Sequence, residues 1–172
     1  FQSTGANTVQ CINYTKADGT GVVGGGNKRL YVMPTHDGGA ALGSSQSFHD
    51  IVLADGATDS AYGTFAVPSD FVSLTKVECV VNADATGNME ALFLGGASAS
   101  GDTSNSDQDT IAQTVYALTA SQQNFIDVTA MADGLTLDAN HMVGLEISRI
   151  GGDGDDTINN PVRVHLWVIT YA

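Results

Sequence analysis

A formal net charge of −13, from 19 acidic against 6 basic residues in a chain of 172, removes the main source of duplex affinity, which is Lys and Arg neutralising phosphates, and disfavours an anionic membrane surface for the same reason. No apolar run of about eighteen residues is present to cross a bilayer as a helix, so neither nucleic acid nor membrane is an expected partner. Three Glu and three Lys beside many Thr, Val, Ala, Gly and Asp leave few strong helix formers, and the length suits one domain, so a single all-β core is expected.

Residues 1–27 form an N-terminal arm and Gly-rich connector. FQSTGANTV lacks an initiating Met and the basic and apolar regions of a signal peptide, which reads as a processed or truncated product. One short strand is expected over residues 8–14, followed by DGTGVVGGGN, a flexible connector. The arm is either a frayed end or a strand donated to a neighbouring subunit through Val9, Cys11 and Tyr14. Asn13-Tyr14-Thr15 is a glycosylation sequon in a secreted chain.

Residues 28–172 read as one β-sandwich domain. Strands are predicted at 28–34, 47–53, 61–67, 72–81, 88–95, 110–118, 124–129, 141–150 and 161–171, from apolar alternation bounded by turn residues. A phase change in VSLTKVECVV predicts a bulge near Lys76. THDGGAALGSSQ (35–46) and GASASGDTSNSDQD (96–109) read as loops, and a helical turn is expected around TAMADG. Short connections leave no room for helical crossovers. An antiparallel two-sheet sandwich follows, of jelly-roll type, because eight or nine strands with mixed short and long connections favour it over an immunoglobulin topology, whose Cys–Trp–Cys core is also missing.

No catalytic motif stands out, and the chain reads as a non-enzyme. Glu78, Glu90 and Glu146 sit on strands, where carboxylates are usually solvated, and nothing local pairs them across a cleft. His36–Asp37 and His49–Asp50 lack further ligands at suitable spacing. Calcium is the one cofactor the sequence allows, on Asp153, Asp155 and Asp156, or on Asp102, Asp107 and Asp109, since clustered carboxylates are the ligands it prefers. Arg149 and Asp156 can close a bidentate pair that fixes the last hairpin. Cys79 is either a buried free thiol or the partner of Cys11 in a disulfide. On the last strand, Val162, Val164, Leu166 and Val168 share one face. Arg163, His165, Trp167, Ile169 and Tyr171 share the other, which reads as a contact face because Trp, Tyr and Arg favour interfaces.

The closing stretch ISRIGGDGDDTINNPVRVHLWVITY resembles the last hairpin of jelly-roll structural proteins of tailed phages, with Arg149, Asp156, Thr157, Ile158 and Tyr171 at matching positions. TFAVPSDF resembles the segment before their long central strand. The resemblance implies a non-enzymatic virion component, a capsid decoration or tail and fibre protein, that contacts copies of itself and other virion proteins in a virion or extracellular setting. The alternatives are a subunit of an extracellular filament joined by its N-terminal strand and a carbohydrate-binding module. The last is poorly served by 7% aromatic residues and one Trp.

Overall fold

The computed structural model describes residues 2–3, 9–10, 26–36, 39–45, 48–103 and 106–172. Two short segments, β1 (Gln2–Ser3) and β2 (Val9–Gln10), pair antiparallel in a sheet of their own. Cys11 and Tyr14, named for the arm, lie outside the described residues. The sandwich is built from β3 (Lys28–Val32), β4 (Ala41–Ser45), β5 (Phe48–Leu53), β6 (Thr58–Ala66), β7 (Leu74–Ala83), β8 (Gly87–Ser98), β9 (Asp107–Leu118), β10 (Gln123–Asp127), β11 (Met142–Ile150) and β12 (Val162–Tyr171).

One sheet runs β10-β7-β12-β5-β4, with β3 also against β12, and the other runs β6-β11-β8-β9. All their pairings are antiparallel. From β5 onward each connection crosses to the opposite sheet except the β8–β9 hairpin, and this alternation is the jelly-roll arrangement. The core lies between the sheets because inward positions repeat every second residue. Val77, Cys79, Val81 and Ala83 of β7 face Met89, Ala91, Phe93 and Ala97 of β8 and Val143, Leu145 and Ile147 of β11 within one buried cluster. Each large side chain so enclosed contributes about 1.5–3 kcal/mol. A 3₁₀ turn, Thr129–Ala132, caps this core with Met131 fully buried.

β12 is central. β7 lies along one side, while β5 (at Val162–Val164) and β3 (at Trp167–Tyr171) divide the other. Two irregularities shape it. Opposite Thr170 and Tyr171 the register passes from Lys76 to Leu74, which puts an extra residue, Thr75, beside the expected bulge position. The other is at His165, which falls between the pairs Val164–Val81 and Leu166–Val80. An extra residue moves every later side chain to the other face. Val162 and Val164 therefore point inward, and so do Trp167, Ile169 and Tyr171, all buried.

The contact face assigned to Arg163, His165, Trp167, Ile169 and Tyr171 is thus corrected. Strict alternation fails at one residue, and Trp167 is 0% exposed while His165, Ile169 and Tyr171 are also buried. The loop assigned to residues 35–46 contains β4, an edge strand that needs only backbone pairing with β5. The long loop assigned to 96–109 is shorter at both ends. β8 continues to Ser98 and β9 begins at Asp107, with Ala97 opposite Asp107, because small residues are sufficient where the neighbouring strand supplies the packing.

Candidate functional site

The outer face of the four-stranded sheet carries an open trough. Register places Tyr62, Glu146 and Leu94 on one rung across β6, β11 and β8, and Thr64, Gly144, Gly96 and Gln108 on the next, across all four strands. Strands about 4.8 Å apart make this second rung about 14 Å long from β6 to β9. Its two central positions are glycines, so the rung sinks below its neighbours. The resulting depression, of about 230 Å³, is lined by Tyr62, Thr64, Leu94, Gly96, Gln108 and Glu146 among others. A Cβ built on Gly144 meets nothing within 4 Å, so the floor is empty space rather than tight packing. Met142, 48% exposed, stands on the following rung.

The wall is braced by its neighbours on the same face and at the β6 edge. Ser60 and Ser148 share a hydrogen bond of 2.6 Å, and the Ser148 hydroxyl donates to Glu146 Oε1 at 2.8 Å. The backbone of Tyr62 exchanges two hydrogen bonds of 2.8 Å with Thr35. One aromatic ring, one aliphatic side chain, a carboxylate, an amide and a hydroxyl thus converge on a shallow strip. The sequence pattern carried a weak trace of it: Gly96 and Gly144 fall in the outward phase of strands whose inward phase is apolar. That they share a rung depends on strand pairing, which the sequence does not display.

About 20 Å along β8 from Gly96, at the pitch of a strand, the same face carries an acidic cluster beneath the β11–β12 loop. Its anchor is Arg149, inward-facing and fully buried. Its Nε and one terminal nitrogen donate to the two oxygens of Asp156 at 2.9 and 2.8 Å, and the remaining N–H groups reach the carbonyls of Leu53, Asn160 and Ile158. All five guanidinium donors are used. Asp156 also accepts from the amides of Glu90 and Ile158. Burial pushes its carboxyl up, but Arg149 and those amides outweigh this and hold it below its ordinary value.

Committed to Arg149, Asp156 is withdrawn from the metal set Asp153, Asp155 and Asp156. The group that converges among the described residues is Glu90, Asp153 and Asp155, with one oxygen of each within 4.8 Å of the others. Gln113 Nε2 donates to Glu90 Oε1 at 2.6 Å and to Asp153 Oδ2 at 3.3 Å. The Gln113 bond lowers the Glu90 pKa, yet burial and the facing Asp153 and Asp155 raise it overall. Asp153 is lowered, chiefly by the Asp155 amide. The alternative trio is occupied otherwise: Asp102 accepts from Ala99, Asp107 from Thr136 and Asp109 from Gly134, all backbone amides.

The remaining candidates are dispersed. Glu78 pairs with Lys76 at 2.6 Å on the six-stranded sheet, while Glu90 and Glu146 have different partners on the other sheet, so these three form no catalytic pair. Arg163 binds Asp84 at 2.7 Å and lies 3.7 Å from Asp50. His49 is exposed and Asp50 buried, on opposite sides of β5. Asp37 lies outside the described residues. Cys79 is a free buried thiol, its pKa raised by burial. Val9 is paired with Ser3 through the backbone.

No family model matches the chain, and no curated protein does. Among solved structures it is similar to the family 11 carbohydrate-binding module of the cellulosomal cellulase Lic26A-Cel5E of Clostridium thermocellum, at 11% identity and a TM-score of 0.46 over 86% of this chain and 95% of that one. It is also similar to the family 11 module from Clostridium thermocellum in complex with a β-1,3-1,4-mixed-linked tetrasaccharide, at 6% identity and a TM-score of 0.41 over 83% and 87%. None of these findings supports the tailed-phage resemblance of the closing hairpin.

Proposed function

We propose that the chain is a non-catalytic binding module that takes a neutral, hydroxyl-rich polymer, a glycan, in the trough of the four-stranded sheet. The two-glycine rung crossing all four strands carries this reading. Such a strip accepts an extended chain laid across the strands, with Tyr62 and Leu94 offering apolar surface and Glu146, Gln108 and Thr64 meeting hydroxyl groups. Aromatic faces with a few placed polar groups are the usual recipe for such recognition. A charge of −13 disfavours polyanions and leaves neutral chains as the compatible class.

A neutral-glycan array, followed by calorimetry on the best hit, tests it. Gly144→Phe fills the trough without touching the core, since space above Gly144 is open, and should lower affinity at least about tenfold, or about 1.4 kcal/mol. Tyr62→Ala should weaken binding by about 0.5–1.5 kcal/mol. Silence across the array, or wild-type affinity in the Gly144→Phe variant, would sink the glycan reading.

Assembly of copies is a second reading, favoured by the outer face of the six-stranded sheet. Phe125, Val80 and Leu166 share one rung there, and Val168 and Tyr31 the next. Phe125 and Tyr31 are 56% and 58% exposed, on the outer strands β10 and β3 of this face, and large apolar side chains left in solvent on one sheet face suit association. Sedimentation analysis should then show dimers or larger species that dissociate in a Phe125→Asp, Tyr31→Asp double variant. A monomer at every concentration would remove this reading.

A further inference from the structure

We propose that Glu90, Asp153 and Asp155, with the Gln113 side-chain amide, form a calcium site that clamps the β11–β12 loop onto the outer face of β8 and β9. One carboxylate oxygen in this cluster has no donor. Glu90 is 5% exposed, and its Oε2 is buried without a hydrogen-bond partner. Leaving such an atom unpaired costs about 1–3 kcal/mol, and more for a charged group. Two further carboxylates nevertheless converge on this residue within 4.8 Å, where like charges repel unless Glu90 keeps a proton, toward which its raised pKa leans, or a cation joins them.

The cluster is held together by structure elsewhere. Asp156 is fixed by Arg149 and accepts the Glu90 amide, so the acidic loop cannot swing away from β8. Asp155 donates its backbone N–H to Asp153 Oδ1 at 3.1 Å, which orients that carboxylate. Gln113 bridges Glu90 and Asp153 through its nitrogen. A half-turn of its amide presents an oxygen in the same place, bringing the donors to three carboxylates and one amide. The set is all oxygen, without His or Cys, which selects a hard cation. Calcium tolerates irregular, partly hydrated oxygen sets, whereas magnesium demands near-ideal octahedra. The site is independent of the glycan reading, since it lies about 20 Å along the sheet from the trough.

The test is calorimetric titration of the chelator-stripped full chain with calcium chloride, with thermal unfolding in parallel. One saturable site is expected, with a dissociation constant of about 10⁻⁴ M, the range of weak, partly hydrated oxygen-ligand sites. Calcium should raise the unfolding temperature. Asp155→Asn, at an exposed loop position, should weaken binding at least about tenfold and remove most of the thermal shift, while calcium-free stability stays equal or rises slightly because one of three like charges is gone. Glu90→Gln should abolish binding. Absence of a saturable heat up to about 10 mM calcium, or unchanged affinity in Asp155→Asn, would overturn the site. An equal response to magnesium would overturn the assignment to calcium.

Discussion

Replacing Arg149 with alanine should lower the unfolding free energy by about 3–5 kcal/mol, the cost of breaking a buried ion pair by removing one partner. The size follows from what the guanidinium holds. It is fully buried and supplies donors to Asp156 and to the carbonyls of Leu53, Asn160 and Ile158. Its loss leaves one buried carboxylate with two amide donors and three carbonyls short of a partner. The segments concerned, the end of β5, the β11–β12 loop and β8, meet at this residue, so the damage is global rather than confined to a hairpin. Arg149→Lys keeps the charge but offers three donors on a flexible stem and no planar fork, so it should recover less than half of the loss. Urea unfolding midpoints at constant slope measure both. A loss below about 1 kcal/mol for the alanine variant would mean that the pair behaves as an exposed one.

That expectation differs from what the sequence alone suggested for the same two residues. Arg149 seven positions before Asp156, across a Gly- and Asp-rich turn, is legible as a pair. Its burial is not, because enclosure comes from Leu53 and Glu90, 96 and 66 positions away from their respective partners. The jelly roll itself was readable, since strand length, alternation and turn residues are local properties, and the connections leave no room for helical crossovers. The bulge in β7 was legible as a phase change near Lys76, but the face of β12 was misread. A single extra residue at His165 sends Trp167 inward, and hydrophobic periodicity cannot place a bulge in a strand that is apolar on both faces. The acidic loop was legible as a source of oxygen ligands, but its membership was not: Asp156 serves Arg149, and Glu90 arrives from a strand 63 positions before Asp153. The trough was hardest to see, because it is defined by an absence of side chains on two neighbouring strands at matched register.

Trp167 should be the other residue whose loss is severe. Its indole is fully buried and stands edge-on to Phe93, ring centroids 6.1 Å apart and planes at 85°, so Trp167→Ala should cost about 3–5 kcal/mol through lost burial and an unfilled cavity. Phenylalanine is a gentler change, because the indole N–H has no hydrogen-bond partner among the described residues and its removal relieves an unmet donor. The indole is also what requires glycine at position 63. A Cβ there would lie 2.7 Å from Trp167 Cδ1, 2.9 Å from its Nε1 and 3.2 Å from Val32 Cγ1. Gly63→Ala alone should therefore destabilise by about 1–3 kcal/mol by overpacking. In the Trp167→Phe background the smaller ring withdraws from this contact and most of that cost should vanish, a coupling of at least about 1 kcal/mol in a double-mutant cycle. Additivity within about 0.5 kcal/mol would show that the backbone at Gly63, and not the indole, excludes a side chain. The coupling expected here would instead make the tryptophan a core residue to which β6 is fitted, with Tyr62 turned to the opposite face of that strand.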